Sequence, residues 1–557
     1  MKYLRQLPLM LLPIMSLLPT ACSDDNTSQE PDKPEIPGKP ETPGNPDSEP
    51  IAGCALWENY LAAHTTGKEA TLLDFSYAGY EYGEREIPDV DYPVFLVDDY
   101  GAVANDNKSD RAALEAAIAA ATKAGDKAII RFSAGRYNLR SADDPNKSIT
   151  ISGDNIILQG AGSGEGGTEI FMEYPNTLTQ ANALWSAPEL IRFTYMGANT
   201  DNQLLLTKVT GNAARGSHQL EVASTSGLYI GQRLLLKGSS KSTEAIAQEV
   251  TPYEVETSEW KTFINEGVQV NEYLTIERIE GNTLKFKEPL MHCVDAAWGW
   301  TLHRYQHHVG CGIEDIAFRG NFQEPYIHHE PSGIHDSGYK MIAFHRQANG
   351  WIRRCRFIDV IEAASVMLST HVSVLDCSIE GHKGHAAIRS EASSHVLLAY
   401  INDQAGQEHS TGVSKTSIGT VIWKCTTAGT STFESHSSQP RATLIDDCSG
   451  GFLPNHAGGD VTFGPNHLAD LVLWNYTETG SSGGEFNLWT RNNRFLKPII
   501  AGFQGATTFK PEQVTADLSH GTKVEPLSLY EAQLQTRLRQ LPSWISNHSS
   551  KQNESYK

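Results

Sequence analysis

The chain has 557 residues, 39% of them hydrophobic, with a formal net charge of −21 and a pI near 5.4. So acidic a chain argues against nucleic acid as a partner, because a phosphate backbone is met by a basic face. It leaves room for an acidic glycan, since a local basic cleft matters more than the total charge.

Lys2 and Arg5 precede a mostly apolar run from Leu7 to Leu18, and LPTAC then ends at Cys22. A positive start, a short apolar stretch and small residues before the cysteine are the marks of an export signal. At about 12 residues the run is too short for a transmembrane helix, which takes about 20. Residues 1–21 resemble a bacterial lipoprotein signal, which implies lipidation of Cys22 and anchorage in the outer membrane. The SDDN that follows resembles the surface-export signal of lipoproteins in glycan-foraging gram-negative bacteria, and implies display on the cell surface. Within 22–52, prolines recur every third residue from Pro31 to Pro46, the composition of an extended linker with no core. Subtracting the leader's +2 and the −6 of residues 23–52 leaves −17 for the body.

The body begins with a predicted short helix at Leu56–His64. VFLVDDYGAVANDNKSDRAALEAAI then predicts strand, turn and a capped amphipathic helix from about Ser109 to Ala124. Such a helix is suited to close the open N-terminal end of a solenoid. Between about 204 and 289, segments such as GLYIGQRLLLKG and LTIERIEGNTLKFKEPL predict a small antiparallel β insertion. LSLYEAQLQTRLRQLPSWI predicts an amphipathic helix in a C-terminal cap and tail spanning 506–557.

Five segments in the second half share one register: WIRRCRFID, VSVLDCSIE, VLLAYINDQ, TVIWKCTTA and TLIDDCSGG. Each pairs an aliphatic residue with Cys or Tyr three places on: Ile352/Cys355, Val374/Cys377, Leu397/Tyr400, Ile422/Cys425 and Ile445/Cys448. The steps of 22, 23, 25 and 23 residues, with alternation inside each unit, mark a β solenoid. The predicted fold is all-β, a right-handed parallel β-helix over 53–505 with coils about 4.8 Å apart. The aligned cysteines are expected to be free, buried thiols stacked inside. No CxxC pair supports a zinc site.

A packed interior leaves function to the outer faces. Counting back from the anchors places Arg389, Lys415 and His436 near one column on successive coils. Like charges so stacked call for an anion across them. Arg441, His371, His385 and His395 are expected substrate contacts. HKGH brings His382 near His385 without a clear third ligand for zinc. Calcium is the one cofactor the residues suggest, since carboxylates Glu391, Glu408 and Glu434 would suit an ion that prefers oxygen; Glu391 is the candidate ligand, or else the residue that orients Arg389.

VDDYGAVANDNKSDRAALEAAI resembles the entry motif of the pectate-lyase superfamily of β-helix proteins. GVSKTSIGTVIWKCT resembles the lysine-bearing coil of chondroitinase B-like and alginate lyases, though QEHSTGVSK lacks the acidic calcium ligands of that pattern. With DFSYAGYEYGEREIP and LYEAQL, most of 53–545 resembles polysaccharide lyase family 29, which acts on chondroitin and dermatan sulfates. The resemblance implies β-elimination on an acidic, uronate-containing glycan, by a chain expected to be monomeric. A lyase must neutralise the uronate carboxylate, remove the neighbouring proton and assist the leaving oxygen. Lys415 is then the expected base, Arg389 the neutraliser and His436 the proton donor. A polygalacturonase-type hydrolase would instead need converging carboxylates, for which Asp446, Asp447 and Asp460 are the candidates. A non-catalytic glycan-binding surface is the third alternative.

Overall fold

The structure is a computed structural model, described for residues 51–125, 127–196, 204–480 and 483–548. The leader, Cys22 and the linker as far as residue 50 lie outside the described residues. Ile51 and Ala52, read from sequence as the end of the linker, instead pair in parallel with Lys523 and Val524. No helix among the described residues is long and apolar enough to cross a membrane.

The chain winds as a right-handed parallel β-helix of two main sheets. The long sheet has 19 strands and the other has seven. In the long sheet Ile352 pairs with Val374, Val374 with Leu398, Leu398 with Ile422 and Ile422 with Ile445. These side chains point into the solenoid and are at most 2% exposed. Burying each is worth roughly 1.5–3 kcal/mol, which is what holds coil on coil.

The third coil differs from the sequence alignment by one residue. Leu398, not Leu397, continues the aliphatic column, and Ile401, not Tyr400, lies beside Cys377. A one-residue slip turns every side chain to the opposite face, so Leu397 joins the outer cluster with Trp351 and Trp423. Cys355, Cys377, Cys425 and Cys448 are free and buried inside, as the register requires.

The helix Arg111–Ala124 packs Ala113, Leu114, Ala117, Ile118 and Ala121 onto the first coils and closes their apolar interior. Asp110 does not cap it; its carboxylate accepts from the Val103 and Asn138 amides. The antiparallel insertion runs from Leu205 to Arg304, past the expected end near 289, because Thr301–Arg304 pairs with both Leu205–Lys208 and Arg233–Ser240. It leaves the stack unbroken, since Ile157–Gln159 before it pairs with Gly312–Glu314 after it.

The C-terminal helix, Leu529–Leu538, does not plug the end of the solenoid. It lies on the flank, where Tyr530 packs on Trp423 and Gln533 bonds the backbone of Leu73 and Phe75. Asp446 holds its start, accepting from Ser528 Oγ and from the amides of Leu529 and Tyr530. The insertion, this helix and residues 54–87 together form one apolar cluster with the outer side of the long sheet. Neither apolar cluster takes up the outward side chains of the last strands of the seven-stranded sheet. That outer face carries the site.

Candidate active site

The site is built on Lys340–His345, Glu362–Met367, Ala386–Glu391, Gly412–Ser414 and Glu434–His436, which pair in parallel in that order. Alternation along each strand sends two columns outward. Arg389 stands opposite Gly412, which stands opposite Glu434; Glu391 stands opposite Ser414, which stands opposite His436. Arg389 and His436 are therefore in neighbouring columns, not one. Counting back from the anchors crosses turns of differing length, so equal offsets do not mean equal positions. Gly412 is needed where it stands, because a Cβ there would meet the Glu434 carbonyl.

The charges form an alternating ladder, not a column of cations. Lys340 lies 3.7 Å from Glu189 and 4.0 Å from Glu362; Arg389 lies 3.3 Å from Glu362 and 3.7 Å from Glu391; Lys415 reaches Glu391 at 2.7 Å. Like charges one coil apart repel, and interposed carboxylates remove that repulsion. Arg389 is enclosed, with 11% of its side chain exposed, whereas Lys415 at the end of the ladder is 51% exposed. Burial opposes ionisation of Glu391, but Lys415 and Arg389 outweigh it and hold its carboxyl at about 2. Burial also works against the charge of Arg389, and Glu362, Glu391 and Glu434 overcome it. Glu391 is thus occupied by two cations. Calcium takes six to eight oxygens, and a carboxylate already held between guanidinium and ammonium does not fit it.

A second set of polar groups adjoins the ladder. His385 and His409 are one coil apart, with the His409 amide bonding the His385 carbonyl. The rings of His385 and His409 are 4.8 Å apart, and those of His409 and His436 are 4.9 Å apart. His328, from the loop before Lys340–His345, stands 5.4 Å from His409, ring to ring. Glu434 meets His409 at 3.2 Å and accepts from the Gly458 amide. A Cβ on Gly458 would collide with His436 and Glu434. Burial, with the neighbouring cations, pushes His436 down to about 4 despite Glu434. Burial likewise takes His328 to about 4 and His385 well below the usual imidazole range.

Arg389, Lys415, His436, Glu391 and His385 therefore share this face. The remaining sequence candidates do not. Arg441 is buried and donates to Glu249 and to the Gln269 carbonyl of the insertion. His371 and His395 are fully buried beneath the insertion, beside Glu288 at 3.4 Å and Glu272 at 3.8 Å. No substrate can reach them. Asp446 caps the C-terminal helix, Asp447 pairs with Lys523 and Asp460 caps a short turn, so these three do not converge. Glu362, His328 and Asp336 were not singled out from sequence. The signal for His409 was a spacing of 24 from His385, equal to the step between Val374 and Leu398 in the corrected register.

Residues 94–309 match the family described as rhamnogalacturonase A/epimerase, pectate lyase-like, and residues 406–548 match a domain described as of unknown function. No curated protein matches the chain. Among solved structures, a tailspike protein of Pseudomonas phage LKA1 is 12% identical, over 77% of this chain and 81% of its own, with a TM-score of 0.37. A hyperthermoactive exopolygalacturonase from Thermotoga maritima is 11% identical over 80% and 94%, TM-score 0.34. A surface protein and adhesin of Streptococcus pneumoniae is 10% identical over 77% and 98%, TM-score 0.29. The fold itself rests on this chain's own strand pairing. Lys415, His409, Glu434 and His436 lie in the second matched segment, while Arg389, Glu391 and His385 lie between the two. Over residues 94–309 the chain is thus similar to the pectate-lyase-like family, as its VDDYGAVANDNKSDRAALEAAI segment implies.

Proposed function

We propose that the chain is a polysaccharide lyase cleaving an acidic, uronate-containing glycan by β-elimination, with a glycosaminoglycan of the chondroitin or dermatan sulfate class as substrate. The observation that carries this is that Arg389 and Lys415 flank Glu391 while His436 stands two coils on in the Glu391 column of the same outward face.

The geometry supports a different division of labour from the sequence reading. Lys415 is the exposed cation, and its partner Glu391 is already shared with Arg389. Lys415 can therefore turn to a sugar carboxylate while Arg389 keeps Glu391 balanced. As a base it would have to act without the positive charge that Glu391 now faces. The base is His436, a neutral imidazole two residues beyond Glu434 on the last strand of the face. It takes the C5 proton; the electron pair left behind forms the C4–C5 double bond, and the C4–O4 bond breaks as the leaving oxygen takes up a proton from solvent water. Arg389 acts as a positioning residue through Glu391.

The hydrolase alternative loses its carboxylates to structural duties at Asp446, Asp447 and Asp460. Incubating the protein with a panel of acidic glycans tests the choice. Ultraviolet absorbance from an unsaturated uronate is expected, and new reducing ends without that absorbance would overturn the lyase. On the same reading the protein is a monomeric outer-membrane lipoprotein facing outward, so Cys22→Ala should move it from the membrane to the soluble fraction. Salt-resistant sedimentation of that variant would refute the anchor.

A further inference from the structure

The loop between Ile316–Arg319 and Lys340–His345 brings His328 over the turns that precede two strands of the site, where His385 and His409 stand on adjacent coils. One ligand atom from each of the three imidazoles lies within 4.8 Å of the others. We propose that His328, His385 and His409 bind one divalent transition-metal ion of the zinc type, with Glu434 fixing His409 from behind. This goes beyond the lyase reading and does not depend on it.

Three observations carry the inference. First, the donors are three imidazoles, a set that suits zinc and its first-row neighbours and not calcium or magnesium. Second, His385 Nδ1 and Asp336 Oδ2 are buried without any hydrogen-bond partner. A buried polar atom left so is costly, and a metal would take the nitrogen directly. Third, two of the imidazoles are backed by carboxylates. Glu434 Oε2 sits 3.2 Å from His409 Nδ1, leaving Nε2 as the ligand atom, and Asp336 Oδ1 sits 3.7 Å from His385 Nε2, leaving Nδ1. A carboxylate behind a ligating histidine sets its tautomer and orientation.

Nitrogens around a tetrahedral ion at roughly 2.0–2.1 Å stand about 3.4 Å apart, so atoms now up to 4.8 Å apart must close in by as much as about 1.4 Å. His328, exposed on its loop, is the one free to move. Three protein ligands leave a fourth position open, as in catalytic zinc sites. A competing triad of His409, Glu434 and His436 also lies within reach. It would draw Glu434 Oε2 away from His409 Nδ1, which it now meets at 3.2 Å.

The test is to strip the purified full-length protein with a chelator and titrate it with zinc or cobalt(II) ions. One ion per chain is expected by elemental analysis, with cobalt giving the visible ligand-field bands of a four-coordinate site. His328→Ala, His385→Ala and His409→Ala should each abolish binding, and Glu434→Gln should weaken it about 10- to 100-fold. His436→Ala should still bind one ion. Melting curves of each variant separate a lost ligand from a lost fold, and exposed His328 gives the variant least able to disturb folding. No binding by folded wild type, binding retained in His328→Ala, or binding lost in His436→Ala would each overturn the assignment.

Discussion

Arg441 and Glu249, 192 residues apart in sequence, meet at 2.9 Å with side chains only 3% and 7% exposed. The pair ties the insertion to the coil Arg441–Asp446, and His292 adds a second contact to Glu249 at 2.7 Å. Burial opposes ionisation of Glu249, and His292 and Arg441 overcome it to hold the carboxyl at about 2.

Removing one partner of such a pair leaves a charge buried without compensation. Arg441→Ala should therefore cost about 3–5 kcal/mol, read by chemical denaturation, with earlier proteolysis inside 205–304. If Arg441 instead touched substrate, activity would fall while stability held, and that outcome would reject the structural role.

The inner column gives a test of register. Ile401 is 1% exposed and sits beside Cys377 and above the aliphatic core. Ile401→Ala should cost about 2–5 kcal/mol. Ile401→Cys, which repeats the residue of the neighbouring coils, should cost less. A loss under about 1 kcal/mol for the alanine variant would mean that this column is not the packed one.

The coils were legible because an inward column must be apolar in every turn, and that demand imprints a period of 22–25 residues. The helix Arg111–Ala124 was legible for a similar reason, its alanine-rich stripe facing one core. The register at VLLAYINDQ was not, since Leu397 and Leu398 are equally aliphatic and nothing local decides which points inward. The site suffered from the same ambiguity. Arg389, Lys415 and His436 share one face, but variable turns hid the carboxylates that separate their charges. His371, His395 and Arg441 look like groove residues until the insertion, more than a hundred residues earlier in the case of Arg441, is seen to cover them. Coverage by a distant segment leaves no mark in the covered sequence.

Asp446 offers a pH prediction. It is fully buried, and burial raises its pKa to about 7 from an ordinary 3.8, against the three hydrogen bonds that favour the carboxylate. Between about pH 4 and 7 the folded protein keeps this proton and the unfolded chain has lost it. Stability from this group therefore falls as pH rises through that window and levels off above it. Asp446→Asn cannot lose a proton, so the difference between its melting temperature and that of wild type should narrow as pH rises from 4 to about 7. A constant difference across the window would show that Asp446 is ionised throughout.

The charge ladder separates two residues that the sequence places near one column. Lys415 stands at the exposed end, and its removal leaves Glu391 still held by Arg389. Lys415→Ala should cost less than about 1 kcal/mol and still abolish product formation, because Lys340 and Arg389 are enclosed and Arg192, at the far end of the ladder, is held by Glu189. Arg389 lies between Glu362 and Glu391, both buried. Arg389→Ala leaves two enclosed carboxylates facing each other and should destabilise by about 3–5 kcal/mol, so its lost activity would follow lost structure. Glu391→Gln divides the roles further: the fold should persist, while Lys415, freed from its pair, should bind substrate in a less defined place and raise KM more than it lowers kcat. Near-normal turnover in folded Lys415→Ala would defeat the assignment of Lys415 as the group that neutralises the substrate carboxylate.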